Sequence, residues 1–165
     1  MRRGTLIHGL LQRLPDVQSE QWEEAGLGWL ARQGVSGAAA HMLVAEAVGV
    51  LEHPQFAAAF GANSRAEAPV IALVRGRRVR GVVDRLVVSP TEILAIDYKT
   101  DRPPPARAQD ADPAYVLQMA LYREALRLAL PGRFVRCAFV WTFAPSLTPL
   151  PEAAMDESLR HAGLD

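Results

Sequence analysis

A single cysteine, Cys137, removes several possibilities at once. No internal disulfide, four-cysteine zinc site or cysteine-held iron–sulfur cluster can be built from it, and the composition fits a reducing compartment. An excess of charge of one sign is also missing: 18 Lys+Arg stand against 18 Asp+Glu. The total therefore announces no nucleic-acid partner, and any basic footprint must be local. No run is long and apolar enough to span a membrane. The basic start, Met-Arg-Arg-Gly, is followed by an apolar stretch broken at His8 and Gln12, unlike a secretory signal. No phosphate-loop motif is present, so the chain carries no motor of its own. Lysine is nearly absent: Lys99 stands alone among 18 basic residues, the rest being arginine.

What is there is an ordinary globular composition, 165 residues and 50% hydrophobic, enough for one domain with a single sizeable core. The spacing of Ile7, Leu10, Leu11 and Leu14 predicts a helix from Arg3 to Leu14, ended by Pro15. Ser19 caps a second helix to Arg32, with Trp22 and Trp29 seven apart, and Ser36 opens a third to Glu52. Pro54 to Phe60 forms a short fourth. The pattern then switches to β-branched and apolar runs of strand length at 66–74, 79–88 and 93–99, with turns at Gly76-Arg77 and at 89–92. Residues 101–112 form a long proline-rich loop, of the kind that is often functional. Pro113 starts a strong helix to Ala129. Strands follow at 133–143 and 147–150, then a terminal helix. The order of elements predicts an α/β or α+β layered domain with a mixed sheet. The expected organisation is a single domain over 1–165, with a helical part at 1–62, a core at 66–143 and a tail at 147–165.

Side chains alternate faces along a strand, so Asp97 and Lys99 point the same way. A four-residue loop at 89–92 pairs Val88 with Ile93 and Leu86 with Ala95, which sets Asp84 opposite Asp97. Cross-strand partners lie about 5 Å apart, and like charges there repel. In apolar surroundings one acid must take a proton or a cation must lie between them. A hard divalent ion with oxygen ligands, Mg²⁺ or Mn²⁺, meets that need. A lone strand aspartate more often sits at the surface beside an arginine, here Arg80 or Arg85. Two acids internal to apolar strands, with the one lysine two residues on, favour a site.

These residues carry a resemblance. Gly81-Val82-Val83-Asp84-Arg85-Leu86, Ile96-Asp97-Tyr98-Lys99-Thr100, Tyr115 and Gln118-Met119-Ala120-Leu121-Tyr122 resemble the RecB-like nucleases of the PD-(D/E)XK superfamily. Gly4 to Gln12 resembles the histidine helix of the same group. The nearest likeness is to the C-terminal nuclease domain of AddA-type double-strand-break repair helicase–nucleases, alphaproteobacterial in style, and it covers nearly the whole chain. The resemblance implies an α/β, restriction-endonuclease-like fold, three layers with a central mixed sheet flanked by helices, and a metal-dependent DNA exonuclease excised from a longer helicase–nuclease. It implies His8, Asp84, Asp97 and the Tyr98 carbonyl as ligands of Mg²⁺ or Mn²⁺, Lys99 as the catalytic lysine, and Gln118 and Tyr122 as a helix motif. It also offers Glu67 as an acidic position on the first strand. Iron–sulfur relatives are excluded by the cysteine count. The implied partners are single-stranded DNA, the helicase part of the full-length chain and an AddB-type subunit, with no membrane, in the bacterial cytoplasm.

The residues add detail to these roles. His8 lies at the border of its helix's apolar face. Gln118 and Tyr122 are neighbours at i, i+4, with Tyr115 one turn earlier. Arg75, Arg77, Arg78 and Arg80 cluster at a hairpin turn, where arginines usually form a solvated tip but here offer phosphate contacts, with Tyr115, to DNA. Trp22 and Trp29 suit a core or a face that docks the helicase better than a base-stacking platform. A non-catalytic DNA-binding or helicase-docking module of the same fold is the alternative.

Overall fold

The computed structural model describes residues 3–105, 107 and 110–164. Three helices come first, α1 (Arg3–Arg13), α2 (Trp22–Arg32) and α3 (Gly37–Leu51). A five-stranded sheet follows, in the order β1 (Ser64–Val74), β2 (Arg77–Val88), β3 (Glu92–Lys99), β4 (Phe134–Trp141), β5 (Ser146–Pro149). Between β3 and β4 runs α4 (Pro113–Ala129), and α5 (Glu152–His161) closes the described chain. Only β3 and β4 are parallel, because only they are joined by a helical crossover. The sheet is mixed and flanked by helices, as the switch in periodicity predicts. No described helix is long and apolar enough to cross a membrane.

Local chemistry sets the start of α4. Pro113 fills the first turn of α4, and the Asp112 carboxylate caps it by accepting from the Ala114 N–H at 2.8 Å. Two expected caps fail. Ser19 lies in a short 3-10 turn ahead of α2, and Ser36 sits at the start of α3 without a side-chain cap bond. Residues 54–60 form a 3-10 segment that His53 caps through the Gln55 N–H. Of the 101–112 loop, 106, 108 and 109 lie outside the described residues.

The core lies in two layers, one on each face of the sheet. Helices α4 and α5 bury Met119, Leu126 and Met155 against Ile93, Ala95, Phe139 and Trp141. Helices α1 to α3 bury Ile7, Leu10, Leu30 and Val44 against Ile96, Tyr98 and Val140. The alternation along β3 thus serves both layers, each buried aliphatic side chain contributing about 1.5–3 kcal/mol. This explains why β3 reads as a continuous apolar run.

One point breaks the alternation. Val83 packs into the α4 layer, yet Arg85, two residues on, donates to the Leu11 carbonyl of α1 at 3.0 Å. Both β1 and β2 turn over between these positions. The β1–β2 ladder pairs Ala66 with Arg85 and Ala68 with Val83 but omits the step between, Glu67 with Asp84. Glu67 is there in the left-handed region, φ 50°. A non-glycine residue held so costs roughly 1–2 kcal/mol. Burial, then the Asp84 charge, also push the Glu67 carboxyl above the usual range, which disfavours its ionised form. Glu67→Gly is therefore expected to raise the Tm by about 2–4 °C. A thermal melt at or below wild type would show that the turn is held without cost.

Candidate active site

The sheet forks at Asp84. The β2–β3 ladder runs from Val88–Ile93 through Leu86–Ala95 and stops at Arg85–Ile96. Beyond that, β2 stays with β1, while Asp97, Tyr98 and Lys99 pair with β4. The expected pairs at Val88 and Leu86 are present. The next step, Asp84 with Asp97, is not a ladder pair. Instead the Asp84 carboxylate takes the place of a strand carbonyl, Oδ2 accepting from the Tyr98 N–H at 2.7 Å. Continuing each ladder by one residue sets Glu67 and Asp97 on either side of Asp84. Three strand positions that carry acids thus lie side by side where the strands part.

His8 reaches the fork from α1. Its Nε2 is 3.0 Å from the Tyr98 carbonyl and its Nδ1 is 3.3 Å from Asp84 Oδ1. Burial works against an imidazolium, but the Asp84 hydrogen bond and charge, the Asp97 charge and the Tyr98 carbonyl outweigh it, so the His8 pKa is raised. From the other face, Lys99 Nζ lies 2.6 Å from Asp97 Oδ2 and 3.5 Å from the centre of the Tyr115 ring. Among the described residues the Lys99 ammonium is the one partner of the buried Asp97 Oδ2. Desolvation, then the charge of Asp84, raise the Asp97 pKa against the opposing pull of Lys99. Tyr115 is thus the platform under Lys99, and its hydroxyl donates weakly to Asp101 at 3.4 Å.

A buried carboxylate oxygen held by one ammonium still has a lone pair to offer. It also shares the fork with a second carboxylate and a peptide carbonyl. These are hard oxygen donors of the kind that divalent cations take. Among the described residues no three His, Cys, Asp or Glu side chains are gathered to hold a metal ion. Lys99 lies against Oδ2 of Asp97, and His8 lies against the Tyr98 carbonyl. The donor set fits a hard cation, with the protein's own basic groups resting against it.

The PD-(D/E)XK nuclease superfamily model matches residues 1–149. The chain belongs to that superfamily. Its fold is the PD-(D/E)XK fold, with Asp84, Asp97 and Lys99 at the fork of the sheet. A solved protein from Eubacterium rectale, whose assignment as an exonuclease is provisional, aligns over 100% of this chain with a TM-score of 0.63 and 12% identity. This chain spans 65% of that protein's length. A second solved structure, SSO0001, aligns over 93% of this chain and 72% of its own with a TM-score of 0.39 and 15% identity, too low to carry an argument. Curated proteins give no match.

Within this PD-(D/E)XK domain the other expected residues lie elsewhere. Gln118 Nε2 donates to the Tyr122 hydroxyl at 3.2 Å. The Tyr122 ring packs so tightly on Gly81 that a Cβ there would lie 2.2 Å from its oxygen. Both line a cavity of about 440 Å³ with Arg77, Arg78 and Arg80. Among the described residues no hydrogen bond joins Gln118 to the acids or to Lys99. Arg75 turns away, donating to the Leu164 carbonyl at 2.7 Å. Arg85 pairs with neither acid. It is buried and bonded to the last turn of α1, where a helix C-terminus favours a cation.

Two features were not legible in the chain. Glu46 receives Arg3, Arg102 at 2.7 Å and the Thr142 hydroxyl. Burial raises its carboxyl, and these partners more than reverse that. Because Arg3 also donates to the Thr100 carbonyl at 3.3 Å, the cluster ties α1 and α3 to the residue after Lys99. The second is a cleft of about 770 Å³ on the α1 side, lined by His8, Glu67, Asp84 and Thr100 with Gln12, Arg13, Trp29 and Gln33. Periodicity places Trp29 on an apolar stripe and gives no hint of this cleft, which depends on how α1 and α2 meet.

Proposed function

We propose that this chain is a metal-dependent deoxyribonuclease domain, acting as an exonuclease on single strands in double-strand-break repair. The observation that carries the reading is the meeting of Asp84, Asp97 and Lys99 around the Tyr98 peptide, with the buried Asp97 Oδ2 held by the Lys99 ammonium alone among the described residues. Phosphodiester hydrolysis needs a nucleophilic water and neutralised phosphate charge. A Mg²⁺ or Mn²⁺ ion held by Asp84, Asp97 and the Tyr98 carbonyl, with His8, would supply a lowered water pKa and that neutralisation. Lys99 is a compact cation that orients the water or steadies charge on the phosphate. Gln118 and Tyr122, with Arg77, Arg78 and Arg80, line a second cavity suited to guiding the strand; Arg75 stands at its turn, and Tyr115 positions Lys99.

The finer reading is a single domain of an AddA-type helicase–nuclease, cytoplasmic, fed single strands by its own helicase and paired with an AddB-type subunit. The likeness in fold to the E. rectale protein, itself assigned provisionally as an exonuclease, supports the exonuclease reading. The neutral total charge gives little non-specific affinity for duplex. The test is cleavage of single-stranded and blunt duplex DNA with Mg²⁺, Mn²⁺ or chelator, with Asp97→Ala as control. Cutting that needs the metal, favours single strands and vanishes in the variant is the expected result. Faster cutting of blunt duplex overturns the strand preference. DNA binding with no cutting under any divalent ion establishes the non-catalytic alternative.

A further inference from the structure

Three tryptophans occur in the chain, and two are used up by the fold. Trp22 donates its indole N–H to the Val17 carbonyl at 3.0 Å and Trp141 to the Thr148 hydroxyl at 2.9 Å. Among the described residues the Trp29 N–H has no protein partner. Trp29 is half-buried and lines the same cleft as His8, Glu67 and Asp84. Its place is set by α1: a Cβ on Gly9 would lie 2.4 Å from the ring, so only glycine lets the indole settle there. One turn on, the Arg13 guanidinium lies 5.0 Å from the ring centre, held by the Gly9 carbonyl at 3.0 Å and by Gln12 at 2.7 Å. Arg13 is exposed, and its charge reaches Glu67.

We propose that Trp29, with Arg13 beside it, forms a nucleobase-stacking subsite for the strand whose phosphate sits at Asp84 and Asp97. The proposal rests on the nuclease reading above and adds to it where a base lies. Single strands are bound by pairing aromatic faces, which accept any base, with cations that meet the backbone. This cleft offers one of each next to the acids. Its volume of about 770 Å³ falls within the range of roughly 300–1,000 Å³ usual for ligand sites. Trp29 and Arg13 are binding residues in this scheme and take no part in bond breaking.

The test measures binding of labelled oligothymidylate, and of an abasic strand of equal length, by fluorescence anisotropy with EDTA present. Trp29→Ala is expected to weaken oligothymidylate binding about tenfold or more and to leave the abasic strand unchanged, while Trp29→Phe stays near wild type. Trp29→Leu keeps an apolar group against Gly9 and gives the same pattern even where the alanine variant melts early. An equal loss on both strands shows that Trp29 only props up α1 and overturns the subsite, as does no loss on either. If the wild-type chain binds neither strand with EDTA, nor when Ca²⁺ replaces the chelator, the nucleic-acid reading itself falls and the subsite falls with it. In the supporting case, Trp29 fluorescence in a Trp22→Phe/Trp141→Phe background is quenched by oligothymidylate and not by the abasic strand.

Discussion

Lys99→Ala is expected to slow single-strand cleavage by about 10²–10³, the usual effect of removing one positioned charge-stabilising donor. Lys99→Arg is not expected to rescue it. The ammonium sits between Asp97 Oδ2 at 2.6 Å and the Tyr115 ring at 3.5 Å, a slot for a compact cation and not for a planar fork. The same variant should cost stability, on the order of 3 kcal/mol, because it leaves Asp97 buried beside Asp84 without its counter-charge. That cost is separable from the chemistry. Asp97→Asn in the same chain removes the uncompensated acid, so Lys99→Ala/Asp97→Asn should melt closer to wild type and still fail to cut. Stopped-time cleavage assays and urea melts on the four proteins check both halves. A single Lys99 variant that cuts at wild-type rate would remove the lysine from the chemistry.

Much of this site can be read from the chain because strand pairing is arithmetic. The turn at 89–92 fixes Val88 opposite Ile93 and Leu86 opposite Ala95, and from there the two acids must come close. Pro113 and Asp112 announce the start of α4, and the helix places Tyr115 under Lys99. The lone lysine stands out in an arginine-rich chain, and its two-residue spacing from Asp97 puts both on the face that α4 covers.

The rest fails where regular geometry fails. Counting by twos assumes that a strand does not turn over, and Glu67 in its left-handed conformation turns β1 and β2 over together. Asp84 therefore leaves the ladder and meets the Tyr98 N–H and His8 rather than facing Asp97 across a pair. The same turn buries Arg85 toward α1, where alternation alone reads it as a surface partner for Asp84. Glutamate has no marked preference for that conformation, so no local signal gives it away. Trp29 and Glu46 depend on contacts between α1, α2 and α3. The spacing within any one helix cannot show these. A sequence read element by element finds the acids and the lysine but not the cleft they open into.

Alkaline pH should unfold the chain through its one cysteine, a residue the chemistry does not use. Cys137 lies on β4 under α4, its thiol donating to the Met119 carbonyl at 3.6 Å. Burial pushes the thiol from 9.0 up to about 12, against the weaker opposing pull of Arg123 and Arg127. The sign follows directly. Below pH 9 the thiol is neutral in both states and the stability is fully present. Above it the unfolded chain ionises while the folded one does not, so stability is lost as pH rises toward the folded value. At about 1.4 kcal/mol per pH unit the loss reaches roughly 4 kcal/mol by the top of that window. That is a large share of the roughly 5–15 kcal/mol a folded domain holds. Cys137→Ala should cost about 1 kcal/mol near pH 8 through the lost packing. It should then overtake wild type by about pH 11, since it has no thiol to ionise. Tyr98, pushed up to about 12 mainly by burial, draws stability down over the same range in both proteins and cancels in the comparison. Urea melts of the pair at both pH values decide it. Parallel losses would show that the thiol does not control the alkaline limit. Crossing curves would show that ionisation of the Cys137 thiol, buried between β4 and α4, sets the alkaline limit.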